Sequence, residues 1–464
     1  MPRTSIRQKI LLALAKQYDN AKRMFLFQNV IREDDGFLGD DELGTLSYLD
    51  MMRASNRLAR AKRNRYLSSR VHRKSTSFIF EMDLESFSDG RGWLNDEEFL
   101  SKYRVTRDQL DMVTDVIHRA DVFHSSNAGP TQMPVKHQLM VYLHFVGHEA
   151  MTDRTQRQVF LVSRGLLTNA RNRVVKALVS VRDTYYKWPS PEERKNASDL
   201  FEKKYGFPNG FALMDGTLLE LAFCPHADDY SDYHGRKYHY SLTVLVINND
   251  NKEIIFYNAG FPGSAHDNRV WENTPICQQP KKYFSPTEYI LTDTAFTPSN
   301  HCVPSYKCVT GTRLPEDEEN FNDALSTPRV TSEHTIGIWK GRFGYLRKIR
   351  MRLTNDRRSL EKNLVLIDST VVLHNLLVQQ NDPVDIQTWL DELEADEFSD
   401  MDDADRLPEE MPLHNSVPVG APKGTRREQL KVYMRETYIR AFNYATGSDG
   451  EDSSGNETQP SFGF

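Results

Sequence analysis

Residues 211–223, FALMDGTLLELAF, and 238–247, YHYSLTVLVI, are where the chain changes its period. The first reads as a strand with polar interruptions. The second sets Tyr238, Tyr240, Leu242, Val244 and Val246 on one side, the two-residue alternation of a strand. Glu253–Asn258 and Glu288–Asp293 supply two more strands, with a short helix from about Asp267 to Asn273 between them. After a polar loop come long helical patterns, Phe321 to Arg352 and Ser359 to Gln379. Strands followed by a βα alternation predict a mixed α/β domain over 205–380, with helices packed on a sheet.

Upstream, residues 95–188 follow a helical period, with Leu110, Val113, Val116 and Ile117, then Leu139, Leu143 and Val146, at three- and four-residue spacing. Helices are expected at Pro134–Val146, Asp153–Phe160 and Gly165–Val181. The last follows Ser163, a good N-cap, and carries Arg171, Arg173 and Lys176. Three short helices with a basic third suit a helix-turn-helix-like all-α domain whose last helix enters the major groove. An ordinary bundle fits the apolar spacing equally. Trp188-Pro189-Ser190-Pro191 reads as the linker to the sheet domain. Residues 1–90 form an N-terminal region of amphipathic helix and basic run, 381–422 an acidic linker, 423–446 a short helix and 447–464 a Ser/Gly/Asp-rich tail expected to be disordered.

Of the 464 residues, 39% are hydrophobic and 27% charged, enough for a sizeable core in two or three domains. No apolar run approaches the roughly 18 residues of a membrane span. Ile10–Ala15 follows basic residues but is shorter than a signal-peptide core, and Lys16 ends it, so an amphipathic helix is expected there. Cys224, Cys277, Cys302 and Cys308 include no CxxC pair, which fits a reduced intracellular compartment and argues against a disulfide scaffold or structural zinc. His226, His234, His239 and His266 match no compact zinc spacing.

The net charge of −6 conceals opposed blocks. Arg53–Lys74 holds nine basic residues and no acid, His334–Arg358 eight against Asp356, and Asn381–Glu410 thirteen acids against Arg406. A basic body with a separable acidic block suits a polyanion partner, because Lys and Arg gain affinity by displacing phosphate counterions. Solvated helix faces and an inert acidic linker fit the charge alone as well.

Three carboxylates stand out. Asp215 ends the run Phe211–Met214 and is followed by Gly216, which admits a close backbone approach; Asp293 ends Tyr289–Thr292 in the same way. Val330, Ile336, Trp339, Phe343 and Leu346 mark one helical stripe, and Glu333, three residues from both Val330 and Ile336, should face the core, in a helix opened by Thr327 as N-cap and Pro328. A carboxylate so placed needs a cation. Asp215, Asp293 and Glu333 could converge on one or two Mg²⁺ ions and serve an in-line displacement at a phosphodiester; each could equally cap a strand or make a structural salt bridge. Lys340, Arg342, Arg347, Lys348 and Arg350 begin two turns after Glu333, placed to grip a nucleic-acid backbone.

Ala212-Leu213-Met214-Asp215-Gly216-Thr217, the Gly263-Ser264-Ala265-His266-Asp267 turn, Leu291-Thr292-Asp293-Thr294-Ala295-Phe296, RVTSEHTIGIWKGRF at 329–343 and Val371-Val372-Leu373-His374-Asn375 occur in an order that resembles PIF/Harbinger-type transposases, over about residues 95–380. The resemblance implies an RNase H-like fold and a DDE triad that binds Mg²⁺ or Mn²⁺, as two ions, at Asp215, Asp293 and Glu333. Asp267 competes for the second acid; Asp293 is preferred because it follows the fourth strand. Asp267, with His266, then orients the site without holding metal or caps the short helix. The implied activity is cleavage of DNA at transposon ends and strand transfer into a target, in the nucleus. A separate Myb/SANT-like DNA-binding partner, docked by the 381–410 block or the N-terminal region, and a homo-oligomer would accompany it. The alternative is a domesticated relative that binds DNA or chromatin without catalysis.

Overall fold

Strands β1 (Gly210–Leu221), β2 (Ser241–Asn248), β3 (Ile254–Pro262), β4 (Tyr289–Thr292), β5 (Cys302–Pro304) and β6 (Lys348–Ile349) form one sheet of order β3-β2-β1-β4-β5. In the computed structural model, which describes residues 6–35, 42–63, 77–86, 92–124, 132–235, 239–308, 313–350, 352–391, 393 and 425–447, β1 to β3 are antiparallel neighbours. On the other side β4 and β5 run parallel to β1, and the two-residue β6 joins the far end of β1. This is the mixed, RNase H-like sheet with flanking helices.

The chain divides into two compact units, Met1–Lys74 and Ser75–Phe464. The first holds α1 (Ile6–Asp35) and α2 (Glu42–Arg63), which meet through Phe25 and Tyr48, ring centroids 5.7 Å apart. The second opens with an all-helical stretch: α3 (Ser77–Leu84), α4 (Asp96–Tyr103), α5 (Arg107–Ile117), α6 (Val135–Val146), α7 (Asp153–Phe160), α8 (Arg164–Ser180), α9 (Arg182–Tyr185) and α10 (Pro191–Tyr205). Three short helices, α11 (Asp267–Glu272), α12 (Pro275–Gln278) and α13 (Pro280–Tyr283), link β3 to β4, and α14 (Glu316–Arg342) and α15 (Arg357–Gln379) follow the sheet. A C-terminal helix spans Arg426–Gly447. None of the described helices is long and apolar enough to cross a membrane. The 64–74 part of the basic run, Tyr238, most of the acidic block and the tail beyond Gly447 lie outside the described residues.

All eight residues of β2 are buried, because both faces of the sheet are covered. Leu242, Val244 and Val246 join a core shared with α6, α8 and α15, while Leu245 and Ile247 face Phe211, Val270, Trp271 and Ile290. The helical stretch and the sheet, separated in the sequence reading at 188 and 205, thus share a core. The supposed linker is itself a helix start: Ser190 and Glu193 form a reciprocal capping box with Pro191 in the first turn.

Two readings of α14 are corrected. The helix begins at Glu316, so Pro328 lies inside it; four acids, Glu316 to Glu319, favour the earlier start by opposing the positive end of the helix dipole. It also ends at Arg342 instead of continuing to Arg352, and the chain passes through Gly344–Leu346 into β6.

The His374-Asn375 pair proves to be an internal clamp. Asn375 is buried on α15; its amide Nδ2 donates to Tyr185 O and Ile254 O, both at 2.8 Å, and its Oδ1 accepts from Ile254 N at 2.8 Å. The side chain replaces a missing neighbour strand at the start of β3. His374, with a ring pair to Lys252 O at 2.9 Å, has its pKa lowered to about 4 by burial and so stays neutral. Asn375→Leu should leave buried backbone groups unpaired and cost about 2–3 kcal/mol, read from urea denaturation.

Candidate active site

Asp215 sits in the middle of β1, not at its end, but the register explains why it is open. Met214 pairs with Thr292, the last residue of β4, so the next residues on the two strands are Asp215 and Asp293. Beyond this point β1 has no partner on that side until Glu220 meets Lys348 of β6. The gap falls at the carboxyl end of a parallel strand pair, where α/β sheets place ligands.

A third carboxylate enters from the other side. After β3, the turn through Gly263 is held by Ser264 N and Ala265 N donating to Asp232 O (3.0 Å) and Pro262 O (2.9 Å), and it delivers Asp267 at the first position of α11. The Asp267 carboxylate lies against Gly216 so closely that a Cβ there would collide with it. This is the physical reason for a glycine after Asp215. Asp293 is fixed by its own turn, Oδ1 accepting from Ala295 N at 2.9 Å.

Burial and crowding act together on Asp215. Burial pushes the Asp215 carboxyl up to about 7, and the negative charges of Asp293 and Asp267 push in the same direction. The Gly216 N–H, donating to Oδ1 at 2.8 Å, and the Arg329 guanidinium oppose the rise without cancelling it.

Glu333 departs from expectation. Its side chain is 58% exposed and pairs with Arg329, one turn earlier, at 3.7 Å. The buried stripe of α14 runs through Phe321, Leu325, Pro328, Ser332, Thr335 and Trp339, so Val330 and Glu333 fall outside it. Polar residues occupy the middle of that stripe because their groups are satisfied: Ser332 donates to Asn248 Oδ1 at 2.9 Å and Thr335 to Thr331 O at 2.7 Å. His266 is exposed and caps α11 without a side-chain bond across its first turn.

Asp215, Asp293 and Asp267 are thus neighbours, and Glu333 is tied to Arg329, whose charge reaches Asp215. Among the described residues no three His, Cys, Asp or Glu side chains converge closely enough to hold an ion jointly. The chemistry of the set nevertheless fits a hard divalent cation: the donors are all carboxylate oxygens, and burial, with the neighbouring acids, makes Asp215 resist ionisation.

The basic residues divide into three groups. Lys340 reaches the sheet, donating to Leu218 O at 3.2 Å, and lines a cleft of about 400 Å³ together with Gly216, His239, Ser264 and Asp267. Lys348, Arg350 and Arg352 are exposed and Arg347 half-buried, while Ile349 and Leu353 are buried. Arg350 and Arg352 both stack on Phe223, 5.3 and 4.9 Å from the ring centre. Arg342 is excluded from DNA contact by complete burial against Asp382 and Trp389.

On α8, Arg171 also turns inward, to Asp153 at 2.6 Å and over the Phe145 ring at 4.3 Å, because the helix buries Leu167, Ala170, Val174 and Ala177 on the same side. Arg173 is half-buried and Lys176 exposed.

No curated protein and no solved structure matches the chain. Residues 214–375 do match a family model, and the span from Met214 to Asn375 takes in all four acids, α14 and the α15 clamp. The family is described as DDE superfamily endonuclease, which supports a DDE-type, transposase-derived nuclease domain acting on DNA, in a superfamily that generally uses divalent metal ions.

Proposed function

We propose that the protein is a metal-dependent DNA endonuclease and strand transferase of the PIF/Harbinger type, acting in the nucleus at transposon ends. The observation that carries this is the pair of acids, Asp215 and Asp293, that directly follow the paired residues Met214 of β1 and Thr292 of β4, inside the segment that matches the nuclease family. Asp215, Asp293 and Glu333 would hold Mg²⁺ or Mn²⁺, as two ions, with Asp267 beside them. When bound, the ions supply Lewis-acid stabilisation of the attacking and leaving oxygens of a phosphodiester. The chain's own work is positioning: Lys340 at the cleft, and Lys348, Arg350, Arg352 and Phe223 beyond it, present charge and a ring face along which a DNA backbone can run. Lys176 and Arg173 extend the same role to α8. A Myb/SANT-like partner and a homo-oligomer complete the proposal.

The test is nicking of supercoiled plasmid and of element-end duplex by the full chain with Mg²⁺, Mn²⁺ or EDTA, beside Glu333→Ala. Metal-dependent nicking that the variant loses supports the nuclease. A second reading, a DNA-binding protein that does not cleave, is favoured by the outward Glu333. It predicts binding that is steep in salt, indifferent to Mg²⁺ and accompanied by no nicking.

A further inference from the structure

Arg329 and Glu333 form an ion pair one turn apart, Nη2 to Oε1 at 3.7 Å. Their helix is fixed just before each partner: Pro328, ahead of Arg329, and Ser332, ahead of Glu333, are buried, and Ser332 is bonded to Asn248, which pairs across the ladder with Leu213, two residues before Asp215. The backbone of α14 is therefore held near the site, and the freedom left is in two long side chains, 33% and 58% exposed. The same guanidinium lies near enough to Asp215 for its charge to favour the ionised carboxyl. One cation thus serves acids on two different elements, through a helical pair weak enough to be exchanged.

We propose that Arg329 is a placeholder cation, which competes with the divalent ion for the acids of the site and, once displaced from Glu333, grips the DNA backbone beside the scissile bond. The proposal rests on the nuclease reading of this site. Carboxylates are the preferred ligands of a hard divalent ion, whereas a guanidinium matches a phosphate in bidentate fashion, so the exchange leaves both cations with suitable anions. Arg329 is then a positioning residue, acting through Glu333 before loading and on the substrate after it.

The experiment is calorimetric titration of the full chain with Ca²⁺ alone at pH 8.5, followed by anisotropy with labelled duplex DNA in Ca²⁺. Arg329→Met should bind Ca²⁺ about tenfold tighter than the parent chain and DNA about tenfold more weakly, with Arg329→Lys between the two on both counts. A side chain that merely supported the fold would not tighten metal binding on removal. Unchanged or weaker Ca²⁺ binding in Arg329→Met, with Ca²⁺ binding lost in Asp215→Asn, would overturn the placeholder and leave the nuclease reading standing. Tighter Ca²⁺ binding with unaltered DNA affinity would overturn the hand-over to phosphate. If Ca²⁺ uptake does not depend on Asp215 at all, the site reading fails and the inference with it.

Discussion

Asp215→Asn is expected to abolish metal-dependent cleavage, by about 10³-fold or more, and at the same time to make the metal-free protein more stable. Both effects come from one cause. A carboxyl pushed up to about 7 from the usual 3.8 is disfavoured in its charged form by the folded state. Below about pH 4 it is neutral in both folded and unfolded chains and has no effect on stability. Between about pH 4 and pH 7 the unfolded chain ionises it while the folded chain resists, so stability falls as pH rises, and the loss persists above pH 7. Asparagine removes the charge and with it that dependence. Thermal melts in EDTA should therefore show the parent chain losing stability over this window and the variant holding steady, with an advantage of roughly 2 kcal/mol at pH 8. Added divalent ion should stabilise the parent and leave the variant unmoved. A variant that lost cleavage but also lost stability at pH 8 would show Asp215 to be a structural acid.

The second large effect is expected far from the acids. Arg342 is fully buried, and its charge is met by Asp382, which also accepts from Gln109 of α5 at 2.7 Å. Burial lowers the pKa of the guanidinium and Asp382 restores it in part. Its Nε and Nη1 have no hydrogen-bond partner, and Trp389 stacks on its face at 4.7 Å. Asp382→Ala would leave the cation buried without a counter-charge and should cost about 3–5 kcal/mol in urea denaturation. The double change Arg342→Met with Asp382→Ala should recover most of that, since an apolar side chain of similar length carries no desolvation penalty. Proteolysis near 386–391 should quicken in the single variant and slow again in the double one.

This also revises the acidic block. Residues 382–391 are a strap on α14, with Leu390 over Gly337 and the Trp389 backbone over Gly341, where a Cβ on either glycine would collide. Composition reads only the charge of such a stretch. What seats it is one tryptophan, one leucine and two glycines four residues apart on the facing helix, and none of these alters the count of acids.

The strands were legible because their apolar runs are dense and their ends polar, and the order of motifs carried the fold class. The site was legible in part. Asp215 and Asp293 can be read from sequence because each follows a buried run. Glu333 was misplaced because Val330 suggested a stripe that in fact follows Pro328, Ser332 and Thr335, and hydrogen-bonded hydroxyls are invisible to an apolar count. The basic residues were misread for a related cause: Arg171 and Arg342 look like surface charge until Asp153 and Asp382, 18 and 40 positions away, supply their partners.

The common core of the helical stretch and the sheet bears on how such a chain can evolve. Val244 and Val246 of β2, beneath the acids, pack in one cluster with Leu139 and Leu143 of α6 and Val174 of α8. Domain shuffling exchanges pieces whose cores are private. Here the helical layer and the strands that carry the acids must change together, so recombination between diverged copies at residues 188–205 would join two half-cores that do not match. New DNA preferences would then arise by substitution at exposed positions such as Lys176, Lys348 and Arg350, with the helical layer inherited intact.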